Sequence, residues 1–206
     1  GWTRYGFRFD SIKGSYHAYE RGLNFIDYID RKQKSHDSKD FWQKVLIEMI
    51  GVEWKGQEYI IGYEPKTTET YDVGLNYNVG SKWPTKAMPM ARWKEIEKAI
   101  LGLGYTVSWQ QGLKDLNEYM DWINSCKFII STDSLGIHLA ITFKKRVLGL
   151  FGSTDSQEIY FYEKGKVVHS RQKCEYMPCY RSKCITDLNC MDGIDIKDII
   201  KESVRM

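Results

Sequence analysis

The sequence predicts an α/β fold, a Rossmann-like parallel sheet flanked by helices. Two observations carry this. From residue 71 onward, short β-branched and aromatic runs alternate with segments whose apolar residues recur every three or four positions, the pattern of strands joined by crossover helices. The apolar runs KFIIST and RVLGLFG are also short and continuous, as strands buried on both faces are.

The elements follow in order. YDVGLNYNV, residues 71–79, reads as the first strand. MARWKEIEKAILGLG then spaces Met90, Trp93, Ile96 and Ile100 along one helical face and ends in Gly102 and Gly104, whose φ freedom suits a helix stop. YTVSW is the next strand, and LKDLNEYMDWINSC repeats the helical period with Leu113, Leu116, Met120 and Ile123. KFIIST and RVLGLFG flank the helix LGIHLAITF, and Cys126, alone at an apolar helix end, reads as a small buried residue. Residues 1–70 are more polar and aromatic. SHDSKDFWQKVLIEMIG predicts a helix capped by Ser38 or Asp40, with Phe41, Val45, Leu46 and Met49 at helical spacing and a stop at Gly51. SYHAYERGLNFIDYIDRKQK reads as a further helix weakened by Gly22, and VEWKGQEYIIGY as a strand or hairpin. His17 and His36 have no partner nearby in sequence and read as surface or packing residues.

Bulk properties exclude several classes. With 42% hydrophobic and 14% aromatic residues the 206-residue chain can bury a real core. A net charge of +3 is too small for a nucleic-acid binder, yet suits an anionic ligand or a membrane surface. No apolar run approaches the ~20 residues of a membrane span and no signal-peptide pattern opens the chain, so a cytoplasmic location is expected. Opening on Gly1 rather than methionine, it fits either an engineered start or a piece excised from a longer protein.

Two loops stand out. FIISTDSLGIHLA breaks an apolar run with Asp133 and Ser134, then continues through Leu135, Gly136 and His138. In an open parallel sheet, ligands collect beyond the carboxyl ends of strands, where helices begin and their N–H groups favour anions. Two readings are open there: Asp133 as a plain helix cap with His138 packed behind it, or an anion turn. NVGSKWPTKAMP supplies Gly80, Ser81, Lys82, Thr85 and Lys86 after the first strand. It is either a solvated turn held by Pro84 and Pro89 or a loop that admits a phosphate and neutralises it. Neither loop is a nucleotide-binding fingerprint by itself.

Cys174, Cys179, Cys184 and Cys190 crowd CEYMPCYRSKCITDLNC. A structural zinc on four thiolates, disulfides, and free packed thiols are all open, since the spacings lack the C-x-x-C knuckle of a zinc site.

In this order, GSKWPTKAMPMARW, STDSLGIHLAITFKKRVLGLFGSTD and CEYMPCYRSKCITDLNCM resemble the lipopolysaccharide heptosyltransferases, the family 9 glycosyltransferases, over roughly residues 70–195. The resemblance implies a GT-B fold of two Rossmann-like domains, with residues 71–206 as the carboxyl-terminal domain that holds the nucleotide sugar. Residues 1–70 would be a helical linker from an amino-terminal domain. It implies a transferase that moves a sugar, an ADP-heptose-like donor's heptose, to a lipopolysaccharide or other cell-surface glycan acceptor. The expected setting is the cytoplasm at the inner face of the inner membrane, with peripheral membrane association. By position, Lys86 would contact the donor diphosphate with Gly80, Ser81 and Lys82 near the same oxygens; Asp133, Ser134, Leu135 and Gly136 would form the phosphate and sugar turn; His138 would orient the donor. No metal would be required for catalysis. Two departures accompany the likeness: only QQG lies where the family has a further helix and strand with an acidic nucleoside contact, and the acceptor half with its aspartate base has no counterpart in the sequence. A non-catalytic nucleotide-binding or assembly module is the competing class.

Overall fold

The computed structural model describes residues 7–10, 15–18, 40–111, 115–186 and 188–204. They gather in two compact units, one of residues 1–57 with 157–160 and one of residues 58–156 with 161–206.

In the first unit β1 (Phe7–Asp10) pairs antiparallel with β2 (Ser15–Ala18), Phe7 opposite Ala18 and Asp10 opposite Ser15. This corrects the expected helix from Ser15. FRFD and SYHA alternate with period two, and pairing satisfies their backbone groups. The rest of that stretch lies outside the described residues, as do His36 and Ser38, while His17 falls in β2. Helix α1 (Trp42–Met49) forms as expected, but its cap is Phe41 without a side-chain bond. Asp40 instead pairs with Lys44 at 2.6 Å, one turn on. Gly51 follows the helix at φ 91°, the expected stop. Phe41 stacks on Tyr160 with centroids 4.8 Å apart, and Trp54 meets both rings edge-on at 5.3 and 5.8 Å.

VEWKGQEYIIGY forms no strand. Gly56 turns the chain at φ 77°, the Gln57 amide caps the local backbone of Lys55 and Glu53, and Ile60 is 97% exposed. An apolar residue with nothing to pack against gives a strand no core-facing side.

The second unit holds the sheet. Its elements are β3 (Tyr71–Asn76), α2 (Met90–Gly102), β4 (Val107–Trp109), α3 (Leu116–Asn124), β5 (Cys126–Thr132), α4 (Leu135–Thr142), β6 (Arg146–Phe151), β7 (Gly165–His169) and α5 (Ile196–Val204). The five strands are all parallel in the order β4-β3-β5-β6-β7. The chain steps outward from β3 to β4, then crosses back to lay β5 on the other side of β3. The loops leaving β3 and β5 therefore diverge, which opens a crevice at the carboxyl ends of those two strands.

Alternation along the strands divides the faces. Val73, Leu75, Phe128, Ile130, Leu148, Leu150 and Val168 share one core with Trp93, Ile96 and Ile100 of α2 and Ile199 of α5. Each such side chain stabilises the unit by ~1.5–3 kcal/mol. Helices α3 and α4 cover the opposite face, bringing Tyr119, Met120, Ile123, Ile137 and Ala140 into it, all buried. Met90 and Leu116, expected on buried helix faces, are exposed, and Leu113 lies outside the described residues. Cys126 is buried as expected, but it opens β5 rather than ending a helix, and burial pushes its thiol up to about 11. Strand β7 and helix α5 have no counterpart among the elements expected from sequence. At the amino ends of the strands Asp72 accepts from Lys127 and from the N–H and hydroxyl of Thr106, which hold its carboxyl down to about 2. No helix among the described residues is long and apolar enough to cross a membrane.

Gly74 is a packing requirement of the α3 face. A Cβ there would lie 2.7 Å from both Cys126 Sγ and Ile129 Cδ1. Gly74→Ala is therefore expected to cost ~1–3 kcal/mol, the range for overpacking a dense core, read as a lowered midpoint in urea with an unchanged slope. An unchanged midpoint would show that this face yields.

Candidate functional site

The crevice between β3 and β5 is bridged by one ion pair. Lys86 Nζ meets Asp133 Oδ2 at 2.6 Å, with the two side chains only 18% and 12% exposed. Lys86 ends a short 3-10 turn, Pro84–Lys86, in the loop after β3; Pro84 at its start presets the φ that such a turn needs. Asp133 follows directly on β5. The two loops singled out in the sequence, 47 residues apart, thus converge on one carboxylate. A third loop joins them: Thr154, just beyond β6, donates its hydroxyl to the same Oδ2 at 2.7 Å.

Asp133 is not the helix cap. Ser134 occupies the cap position of α4, with φ −155° and ψ 177°, and its side chain makes no capping bond. The plain-cap reading of Asp133 therefore gives way: its carboxylate is engaged by Lys86 and Thr154. Leu135 is exposed at the helix start, and Gly136 is buried. A Cβ on Gly136 would lie 2.2 Å from Asn76 Nδ2 and 2.7 Å from Tyr119 Oη, so α4 can begin this close to the sheet only with glycine there. Asn76, the last residue of β3, was not singled out from sequence. It is wholly buried, its amide nitrogen donating to Ser131 Oγ at 2.7 Å and Ser134 Oγ at 2.9 Å, its oxygen accepting from Tyr119 Oη at 2.7 Å. Burial pushes the Tyr119 hydroxyl up to about 12, so it stays a donor. A lone asparagine at a strand end is a common turn residue, and only its burial marks it.

His138 lies one turn into α4. Its Nδ1 pairs with Tyr59 Oη at 2.7 Å, the two rings edge-on. Burial pushes the imidazole below its ordinary 6.5, with Lys86 adding to that and Asp133 opposing it. Tyr59 also escapes a reading of the sequence, since nothing in VEWKGQEYIIGY marks it.

Gly80, Ser81 and Lys82 stay exposed on the turn ahead of the ion pair. Lys86, rather than Lys82, reaches Asp133; Lys82 lies 6.0 Å from the Trp83 ring and Lys86 5.5 Å from it. Thr132 Oγ1 and Ser153 Oγ, beside Asp133 and Thr154 in sequence, are buried with no partner among the described residues. The cysteine tail packs against the same loops: Thr85 donates to Arg181 O at 2.6 Å, and Ser153 O accepts from Cys179 N and Tyr180 N. A cavity of about 580 Å³ lies between loop and tail, lined by Pro84, Met88, Pro89, Cys179, Cys184 and Cys190 among others. Among the described residues no three side chains of His, Cys, Asp or Glu converge as a metal site would require. As placed, Cys174, Cys179, Cys184 and Cys190 do not form the four-thiolate set, and no disulfide joins any of them.

The arrangement suits an anion. Lys86, the Thr154 hydroxyl and the uncapped start of α4 come together around Asp133 at the carboxyl end of the sheet.

Residues 111–189 match the sequence profile of Glycosyltransferase family 9 (heptosyltransferase). No curated protein sequence matches the chain. Among solved structures, the chain resembles TibC from enterotoxigenic E. coli H10407, a bacterial iron-containing dodecameric glycosyltransferase, with a TM-score of 0.60 at 14% identity over 80% of this chain and 53% of that one. TibC in complex with ADP-D-beta-D-heptose matches equally, with a TM-score of 0.60. E. coli heptosyltransferase WaaC with ADP matches with a TM-score of 0.50 at 15% identity over 78% and 55% of the two chains. At such identities the likeness is one of fold: a helix-flanked parallel sheet that corresponds to half of a GT-B architecture. The chain spans about half the length of these structures, 53–55%.

The lowered His138 value sets a pH dependence. The unfolded chain takes up a proton near 6.5 while the folded one resists it, so the contribution is complete above that pH and is lost as pH falls below it. His138→Gln should flatten the decline of unfolding stability between about pH 7 and pH 5. An equally steep decline in the variant would assign it to other groups.

Proposed function

We propose that this chain, which carries a Glycosyltransferase family 9 (heptosyltransferase) domain segment at residues 111–189, binds the nucleotide-sugar donor of a sugar transferase, an ADP-heptose-like molecule. The observation that carries this reading is the Lys86–Asp133 pair at the sheet's topological switch. A lysine already held at the site can exchange a carboxylate for a diphosphate, and α4 supplies N–H groups and a dipole to the same oxygens. Asp133, released from Lys86, then accepts from a hydroxyl of the sugar. When the acceptor hydroxyl attacks the anomeric carbon and the sugar–oxygen bond breaks, the charge that gathers on the leaving diphosphate falls on Lys86 and the helix start. The catalytic base is assigned to an acceptor half, because His138 is bonded to Tyr59 and burial lowers its basicity. The acceptor is a lipopolysaccharide or related cell-surface glycan. TibC with ADP-D-beta-D-heptose and WaaC with ADP support the donor class by likeness of fold.

Calorimetry with ADP tests the site. Lys86→Ala should weaken ADP binding by ~1.5–3 kcal/mol, the range for a charge-assisted hydrogen bond. Asp133→Asn leaves an acceptor for Thr154 and removes a negative charge, so ADP itself should bind tighter by at least ~1 kcal/mol, the value for two unit charges 4 Å apart even in water. The same change should reduce the preference for the sugar nucleotide over ADP, since an amide oxygen accepts more weakly than a carboxylate. Equal ADP affinities across the three proteins would remove the anion site.

The transfer reading has its own test. Given labelled ADP-heptose and a lipopolysaccharide-core acceptor, this chain should bind donor without turnover, and a chain joined to a family acceptor domain should transfer. Binding without transfer in both would favour a nucleotide-binding module.

A further inference from the structure

We infer that Asn76 is a positioning residue for the anion site: its buried amide turns the Ser134 hydroxyl from a helix cap into a donor for the ligand. The inference rests on the diphosphate reading above. A serine at a helix start ordinarily caps it by accepting an N–H from the first turn. Ser134 has the extended backbone of a cap and makes no such bond. Its oxygen instead takes the Asn76 Nδ2 hydrogen at 2.9 Å.

Two consequences follow. The first-turn N–H groups of α4 lack a side-chain cap, and with Ile137 N already donating to Ser134 O at 3.1 Å, those of Leu135 and Gly136 are left to face an anion. Ser134, accepting the amide hydrogen through its oxygen, can turn its own proton toward a ligand instead of toward its neighbouring hydroxyls. Two other hydroxyls lie beside it, Tyr119 Oη and Ser131 Oγ, the latter at 3.3 Å and already donating to Thr132 O at 2.7 Å and accepting from Asn76 at 2.7 Å, so a ligand oxygen takes the Ser134 proton in competition with these two.

The amide cannot turn over without loss. Tyr119 Oη donates to Oδ1 at 2.7 Å, which leaves Nδ2 facing the two serines. A leucine would fill the same volume without the cost of burying an amide, so packing alone gives no reason for asparagine here. Gly136 completes the arrangement by letting α4 start against the amide. The geometry thus links α3, which carries Tyr119, to the anion turn through one side chain.

The test is ADP binding measured by calorimetry across pH on this chain and on Lys86→Ala, Asn76→Asp and Tyr119→Phe. The ionised carboxylate that Asn76→Asp introduces cannot donate; it draws the Ser134 proton to itself and repels the ligand. Near pH 8, Asn76→Asp should bind ADP about ten-fold or more weaker than the unchanged chain at the same pH. The gap should close toward about pH 5.5, because burial raises a carboxyl's pKa and the protonated form donates again. Tyr119→Phe, which frees the amide to flip without adding charge, should weaken ADP binding several-fold. If Asn76→Asp does not fold, Tyr119→Phe decides. Lys86-dependent ADP binding that neither variant alters at any pH would overturn the role of Asn76 alone. So would a loss that is constant with pH and follows the fall in melting temperature, which marks a structural part only. No ADP binding by the unchanged chain would overturn this inference together with the site it serves.

Discussion

The contact between Lys86 and Asp133 organises the ligand end of the sheet. It spans the divergence of the loops after β3 and β5, where the chain's own crossovers leave a gap. A pair this little exposed loses much of its hydration, and mutual attraction offsets that loss only when the remaining lone pairs are also satisfied. Thr154 supplies the further bond to Asp133. The pair is thus stable by itself without being rigidly committed. Under the proposed reading a diphosphate, which brings more charge than one carboxylate, is the better partner for Lys86 to move to.

The fold is legible in the sequence because its signal is repetitive. Trp93, Ile96 and Ile100 mark α2 by spacing alone, and they end up wholly buried. The runs that form β5 and β6 announce themselves by being apolar on both faces. Where one face decides, the reading weakens: Met90 and Leu116 fit a helical period yet face solvent. Ser15–Ala18 reads as helix in isolation because its pairing with Phe7–Asp10 is a tertiary fact. Strand β7 is an edge strand with a single buried position, Val168, too faint a pattern to separate from a loop.

The site divides along the same line. Lys86, Asp133 and Ser134 are visible because unusual residue types interrupt expected patterns at strand ends. Asn76, Tyr119 and Tyr59 are not, since each is ordinary in its local sequence and acquires meaning only from residues 43 to 79 positions away. Asp133 fits a cap as well as an anion turn on paper because sequence spacing alone cannot tell position from bond. The structure gives the cap position to Ser134 and leaves it without the bond. Buried polar groups of this kind are where local rules and the fold part company, and they gather where a ligand has to be met.

The cysteine tail enters this picture as scaffold. It fastens both sides of the site with backbone groups: Arg181 O accepts from Thr85 beside Lys86, and Cys179 N and Tyr180 N both donate to Ser153 O beside Thr154. Side-chain identity in the tail is not what makes these bonds, so the tail could change in sequence and still hold the loops. Its thiols then need a separate explanation. Burial pushes Cys190 upward and the neighbouring thiols add to the shift, so the cluster disfavours gathering negative charge. The thiols therefore stay protonated and pack as small neutral groups behind the two loops. The tail is tied to the Lys86 loop and the Thr154 loop alike, so its backbone holds apart the two segments that meet at Asp133.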